Sequence, residues 1–178
     1  MAVFEDFDFG DFWSGSDYER KAYIGEALDD ALVQSIEREL GYKLPKSYIE
    51  FMSFQNGGIP KNSRHKVDVG TSWAEDHLAI TGIYGIGRRP DYSLCGEVGS
   101  KFMMEEWGYP PIGVYFADTP SGGHDMLCLD FRNAGPDNEP PVVHVAQEDD
   151  FKITFVAPNF EKFIRGLRHK DSFPFEND

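Results

Sequence analysis

Two groups of residues in this chain carry side chains that could do chemistry. Cys128 and His144 lie in two short runs of strand-forming residues, and an imidazole beside a thiol can generate a reactive thiolate. Alternation along these runs predicts that both side chains point to the same face of a sheet. His124 and Asp125, with Asp118 across a short loop, are candidates for a general acid–base pair or for part of a metal site.

Both groups lack further residues that their chemistry requires. No orienting residue or oxyanion donor accompanies Cys128 and His144, and a cysteine in mid-strand is typically a small core side chain. Zinc needs a cluster of His or Cys and calcium needs several ordered oxygen ligands, whereas the loop at His124 offers two carboxylates. We therefore predict that the protein is not an enzyme and has no metal or other cofactor.

A binding surface is the alternative to catalysis. Trp73 stands close to acidic residues, which is the composition of an interface anchor with a charged rim, although the same tryptophan could instead be buried. Adjacent carboxylates such as Asp149 and Asp150 point in different directions, so they indicate solvated charge and not a catalytic pair. The predicted partner contacts are Trp73, Glu75, Asp76, Asp118, His124, Asp125, Asp149 and Asp150.

The composition excludes several classes of protein. With 31 acidic and 17 basic residues, the net charge of −14 opposes the phosphate backbone, so no direct nucleic-acid binding is expected. The same charge attracts a basic protein partner. A length of 178 residues with 40% hydrophobic and 15% aromatic residues is typical of one folded domain, and the oligomeric state is not determined.

The cysteines and the N-terminus bear on localisation. Cys95 and Cys128 match neither a redox nor a zinc spacing, so reduced thiols are expected. The acidic N-terminus lacks the basic and apolar regions of a signal peptide, and no later run is apolar enough to span a membrane. We therefore predict a cytoplasmic protein without membrane contact.

The elements that must position these residues follow from apolar spacing and turn residues. The spacing predicts helices over 27–40, from Pro45 to about Gln55, over 96–107 and from Pro158 onward. Four short runs, at 112–117, 126–131, 142–146 and 152–156, predict strands joined as an antiparallel meander. Residues 61–69 are polar and predict a loop, and residues 78–86 alternate enough to predict one or two strands. The predicted fold is a single α+β domain over 1–178, in which an N-terminal helical hairpin and a C-terminal helix pack on a mainly antiparallel meander sheet. Residues 1–25 are predicted to pack on the core as an aromatic-acidic segment, and residues 171–178 to form a flexible tail.

The chain also resembles a known family. The stretch IERELGYKLPKSYIEFMSFQNGG, from Ile36 to Gly58, is similar to the start of the SUKH superfamily, which includes the Smi/Knr-type cell-wall-assembly regulators and bacterial toxin-immunity proteins. The resemblance continues through TSWAEDHLAITGIYGIG, PPIGVYFADTPSGGHDMLCLDFR and FVAPNFEKFI. It implies a non-enzymatic protein-binding domain. The lack of a long low-complexity extension favours the bacterial immunity type, which neutralises a cognate toxin, often a nuclease, by binding its basic surface.

Three alternatives remain open at this point. One is a regulatory or scaffold binding module of the cell-wall-assembly type. Another is a hydrolase that uses Cys128 and His144 or the loop at His124 and Asp125. The third is a sensor that binds a small ligand in the cleft between helices and sheet.

Overall fold

A computed structural model describes residues 2–134 and 139–177. The described helices are α1 (Asp17–Ala22), α2 (Asp30–Leu40), α3 (Lys46–Phe54), α4 (Ser100–Trp107) and α5 (Phe160–Gly166). The described strands are β1 (Arg64–Lys66), β2 (His77–Ala79), β3 (Gly113–Asp118), β4 (Asp125–Asp130), β5 (Val142–Ala146) and β6 (Lys152–Ala157). The predicted α+β fold class is confirmed.

The central sheet is the predicted meander. Its strands lie in the order β3-β4-β5-β6 and every neighbouring pair is antiparallel. Residues 112–117, 126–131, 142–146 and 152–156 had been assigned from β-branched and aromatic runs, and the observed strands differ from these ranges by at most one residue at either end. Strands β4 and β5 are buried along their whole length, so both faces of the sheet are covered at these two central strands.

Helices cover the sheet through aromatic side chains. Phe116 of β3 lies 5.8 Å from Phe160 and 5.5 Å from Phe163, both of α5, between ring centroids. Phe51 of α3 contacts the same Phe160 at 5.5 Å between ring centroids, so α3 packs against α5. Apolar spacing on each helix directs these rings inward, where edge-to-face contacts stabilise the core.

The ends of α2 and the exit from α3 follow the sequence signals. Asp29 caps α2 by accepting a hydrogen bond from the Leu32 amide at 2.7 Å, and Gly41 ends the helix with a φ of 80°. After α3, the Asn56 side chain connects two segments that are distant in the sequence. Its amide group donates to the carbonyls of Glu26 and Ile86 at 2.8 and 3.0 Å, and its Oδ1 accepts from the Ile86 amide at 2.7 Å. Asn56 therefore ties the chain before α2 to the segment that follows β2.

The β1–β2 sheet differs from the prediction. Residues 61–69 were expected to form a polar loop, yet Arg64–Lys66 pairs with His77–Ala79 as a two-stranded sheet. The Arg64 and Arg168 backbones exchange hydrogen bonds of 3.0 and 2.7 Å, so the chain at Arg168 is a second backbone neighbour of β1. The polar sequence of β1 does not predict this pairing. In the region 78–86, predicted as one or two strands, strand β2 ends at Ala79. Gly82 packs against the Tyr23 ring and Gly85 against the Asn56 backbone, where the chain is irregular.

Both terminal segments contact the core. Phe4 is buried and its ring lies 5.1 Å from that of Phe51. At the other end, Phe173 stacks on His77 with ring centroids 4.4 Å apart, and the Asn177 amide donates to the Trp73 carbonyl at 3.0 Å. The flexibility of 171–178 stays a prediction, and Met1 and Asp178 lie outside the described residues.

Candidate partner-binding site

Cys128 and His144 lie on opposite faces of the sheet, so the prediction that they point the same way is wrong. In the β4–β5 register Cys128 is opposite Val143, whereas His144 is opposite Leu127. Directly paired residues share a face, and neighbours along a strand do not. Burial also raises the pKa of the Cys128 thiol well above its ordinary value, which disfavours the thiolate.

The partner of His144 is Asp125. Its Nε2 lies 2.7 Å from Oδ2 of Asp125, and both residues are almost completely buried. Burial alone would raise the pKa of Asp125, but hydrogen bonds from His144, Ser121 and Thr119 outweigh it and lower that pKa overall. This carboxylate is satisfied inside the protein and Asp125 is 2% exposed, so the structure does not present this predicted partner contact at the surface.

Trp73, Glu75 and Asp76 lie at the β1–β2 sheet. The Arg64 guanidinium stands over the half-buried Trp73 ring at 5.7 Å, while both acidic side chains are exposed. Asp76 is 2.7 Å from Nδ1 of His77. The structure thus places the predicted tryptophan anchor beneath a cation of its own chain, with the two carboxylates at the surface beside it.

His124, Asp149 and Asp150 lie together at the far end of the meander. His124 is 3.2 Å from a carboxylate oxygen of Glu148, in the short 3-10 helix Gln147–Asp149. Its ring is also edge-on to Trp107 at the end of α4, with centroids 5.3 Å apart. Asp149 and Asp150 are exposed next to Glu148. This end of the molecule therefore places the Trp107 side chain near a group of carboxylates.

Asp118 lines a pocket beside α4. The pocket has a volume of about 250 Å³, and its walls include Tyr84, Tyr92, Trp107 and Met126. The Asp118 carboxylate accepts hydrogen bonds from the Tyr23 hydroxyl at 2.8 and 3.0 Å and from the Gly82 amide at 3.0 Å. Burial nevertheless raises the pKa of Asp118 to about 6.

A second, acidic groove adjoins this pocket. Glu39 of α2 faces Glu105 and Glu106 of α4 across it, and Phe102 forms a wall of both the groove and the pocket. Lys101 also lines the groove, and Arg88 pairs with Glu39 at 2.9 Å. We call the surface that runs from this groove past the pocket to the 3-10 helix the α4 face; it comprises Glu39, Phe102, Glu105, Glu106, Trp107, His124 and Glu148.

Sequence reasoning did not find most of the α4 face. Phe102, Glu105, Glu106 and Trp107 fall in the helix predicted over 96–107, and none of them is among the predicted partner contacts. Tyr23 and Asp118 are 95 positions apart in the sequence, so no local pattern could join them. Among the described residues, no group of three His, Cys, Asp or Glu side chains is placed to hold a metal ion.

The fold and this surface define an acidic α+β domain that presents carboxylates around an aromatic pocket. The chain belongs to the SMI1 / KNR4 family (SUKH-1), whose profile matches residues 27–166. No curated protein matches the chain. Residues 1–26, including Tyr23 with its contact to Asp118, lie outside the matched range. None of the described helices has the length and apolar character needed to cross a membrane.

Proposed function

We propose that this protein is an immunity protein of the bacterial type, which neutralises a cognate toxin by covering the toxin's basic surface with the α4 face. The observation that carries the proposal is the arrangement of Phe102 and Trp107 within a rim of exposed carboxylates. Aromatic side chains at the centre of an interface supply most of the binding energy, and a charged rim selects and orients the partner.

The charge of the whole chain supports the same partner chemistry. A net charge of −14 produces a negative potential that speeds the approach of a basic protein and repels nucleic acid. A nuclease toxin needs Lys and Arg to hold its phosphate substrate. An acidic domain bound over those residues blocks the substrate without any bond being made or broken by its own side chains.

The test uses the neighbouring gene. We expect it to encode a large secreted protein with a basic C-terminal domain, and co-expression of this chain with that domain should restore growth of a host that the domain alone kills. The purified complex should weaken by roughly tenfold or more between about 50 and 300 mM NaCl, since screening reduces attraction between charged surfaces. Failure to protect, or an affinity that ignores salt, would contradict the proposal.

Two substitutions separate this proposal from catalysis. Cys128→Ala and His124→Gln remove the thiol and the exposed imidazole that a hydrolase would need. We expect the Cys128→Ala variant to protect the host as well as the unmodified chain does. Because His124 lies on the α4 face, we expect any loss of protection by His124→Gln to follow a measured loss of toxin binding. Loss of protection by a variant that still folds and still binds the toxin domain would favour an enzyme.

A further inference from the structure

The pocket beside α4 contains a carboxylate without a cationic partner. Asp118 receives its hydrogen bonds from a phenol and a backbone amide, and within the described residues no Lys, Arg or His pairs with it. A recessed carboxylate is usually paired because removing its charge from water is costly. A cation that enters the pocket would therefore gain an electrostatic partner that the protein itself does not supply.

The walls of the pocket suit a flat, weakly hydrated cation. Its walls contain four aromatic rings and the apolar side chain of Met126; the rings are those of Tyr84, Tyr92, Phe102 and Trp107. A guanidinium group stacks on aromatic faces and donates paired hydrogen bonds to a carboxylate, whereas an ammonium group is compact and strongly hydrated. The volume of about 250 Å³ is below the range of about 300–1,000 Å³ that is typical of drug-sized ligands. It fits the end of one side chain.

We propose that this pocket binds the guanidinium group of an arginine side chain presented by the partner protein. The guanidinium donates to Asp118 and packs against Trp107 and Tyr92, while Glu105 and Glu106 on the α4 face attract the surrounding basic residues. This inference rests on the proposed function, because it names the anchor that a basic partner inserts at the centre of the α4 face. Tyr23, from outside the family match, holds the Asp118 carboxylate toward this site.

The experiment uses small probes, so it does not depend on finding the partner. The full chain, labelled with ¹⁵N, is titrated near neutral pH with N-acetyl-arginine N-methylamide, and with the lysine and citrulline analogues. Citrulline keeps the shape of arginine without the charge. We expect the arginine probe to shift the Trp107 indole and the Tyr92 and Met126 amide signals with a millimolar dissociation constant, and the other two probes to bind at least roughly fivefold more weakly.

Two variants and one control complete the test. Asp118→Asn and Trp107→Leu should each weaken binding of the arginine probe, by roughly tenfold for the loss of the charge. Asp76→Asn, an exposed change of the same type, should leave it unchanged. If Asp118→Asn does not fold, the selectivity of the unmodified chain and the Trp107→Leu result decide the question.

Each contrary outcome overturns the inference. Equal binding of citrulline or lysine would remove the guanidinium assignment, and signals shifted only at residues far from the pocket would remove the site. Unchanged affinity in Asp118→Asn would remove the carboxylate. The salt dependence of the complex with a basic toxin domain is measured separately. None of these three outcomes would therefore decide whether the proposed function is correct.

Discussion

The Tyr23 hydroxyl donates to both carboxylate oxygens of Asp118, at 3.0 and 2.8 Å. The Tyr23 ring also stacks on Tyr92, with centroids 4.9 Å apart and planes 15° from parallel. One residue of the N-terminal segment thus holds both the charged group and an aromatic wall of the pocket. The segment before the family match therefore helps to build this pocket.

Replacement of Asp118 with Asn should stabilise the protein at alkaline pH. Burial raises the pKa of Asp118 from 3.8 to about 6, which corresponds to about 3 kcal/mol of unfavourable free energy when the group is ionised. Between these values the folded state binds more protons than the unfolded state, so stability falls as pH rises through this window. The gain should be about 1–2 kcal/mol near pH 8, because the amide keeps only part of the hydrogen bonding.

Urea denaturation of both proteins at about pH 4 and pH 8 measures this effect. The variant should gain stability over the unmodified chain only at the higher pH. An Asp118→Asn protein that is less stable at both values would show that the ionised carboxylate strengthens the fold.

Loss of Asp125 should be strongly destabilising. Asp125→Ala leaves His144 buried without its hydrogen-bond partner, and we expect the free energy of unfolding to fall by about 3 kcal/mol at neutral pH. Because the pKa of Asp125 is lowered overall in the folded state, its contribution is present above the ordinary carboxyl range and is lost as pH falls below it. The penalty of the variant should therefore shrink in acid.

Chemical denaturation across this pH range tests the prediction, with Asp149→Ala as the control. Asp149 is exposed, and its loss should change stability by no more than about 0.5 kcal/mol. Equal effects of the two substitutions would contradict the internal role of Asp125.

Neutralising the acidic pair on α4 should weaken the toxin complex. Glu105→Gln with Glu106→Gln removes two carboxylates from the α4 face. The association rate should fall several-fold at low salt, and the binding free energy should weaken by about 1 kcal/mol for the two substitutions together. The matched control is Glu75→Gln with Asp76→Asn, an exposed acidic pair at the β1–β2 sheet. Surface plasmon resonance at two salt concentrations compares them, and a larger effect of the control pair would move the site to Trp73.

Glu176 should hold the C-terminal segment in place. Its carboxylate lies 2.6 Å from Nε of Arg64 and 3.1 Å from Nε2 of His77, and the bond from Arg64 contributes most to lowering the Glu176 pKa to about 2. Solvent screening limits the stabilisation to about 1 kcal/mol. Since the folded pKa is depressed, this contribution is present at neutral pH and is lost as pH falls toward 2.

Thermal unfolding of Glu176→Gln near neutral pH measures the loss, with Glu97→Gln as an exposed control. The NMR signal of the Trp73 indole gives a second readout, because the Trp73 carbonyl accepts a hydrogen bond from the Asn177 amide in the same segment. An unchanged melting temperature and an unchanged spectrum would show that the contact contributes nothing.

The sequence by itself determined the four strands of the meander, the helices α2 and α3, and their order. Short turns between strand-forming runs allow only antiparallel neighbours, which is why the meander from Gly113 to Ala157 could be predicted. Apolar spacing and caps such as Asp29 and Gly41 are local signals, so α2 and α3 could be located within a few residues. Net charge is a sum over residues and needs no structure.

Only the tertiary structure decided which side chains meet. Alternation determines which residues of one strand share a face. Which residues of β4 and β5 share a face depends on the register between the two strands, and that register places Cys128 and His144 on opposite faces. Asp125 was predicted to be a partner contact, yet donors from the facing strand and the preceding loop satisfy its carboxylate inside the protein. The pocket at Asp118 forms only where Tyr23, α4 and the meander pack together. Because these parts are far apart in the sequence, no local sequence pattern predicts the pocket.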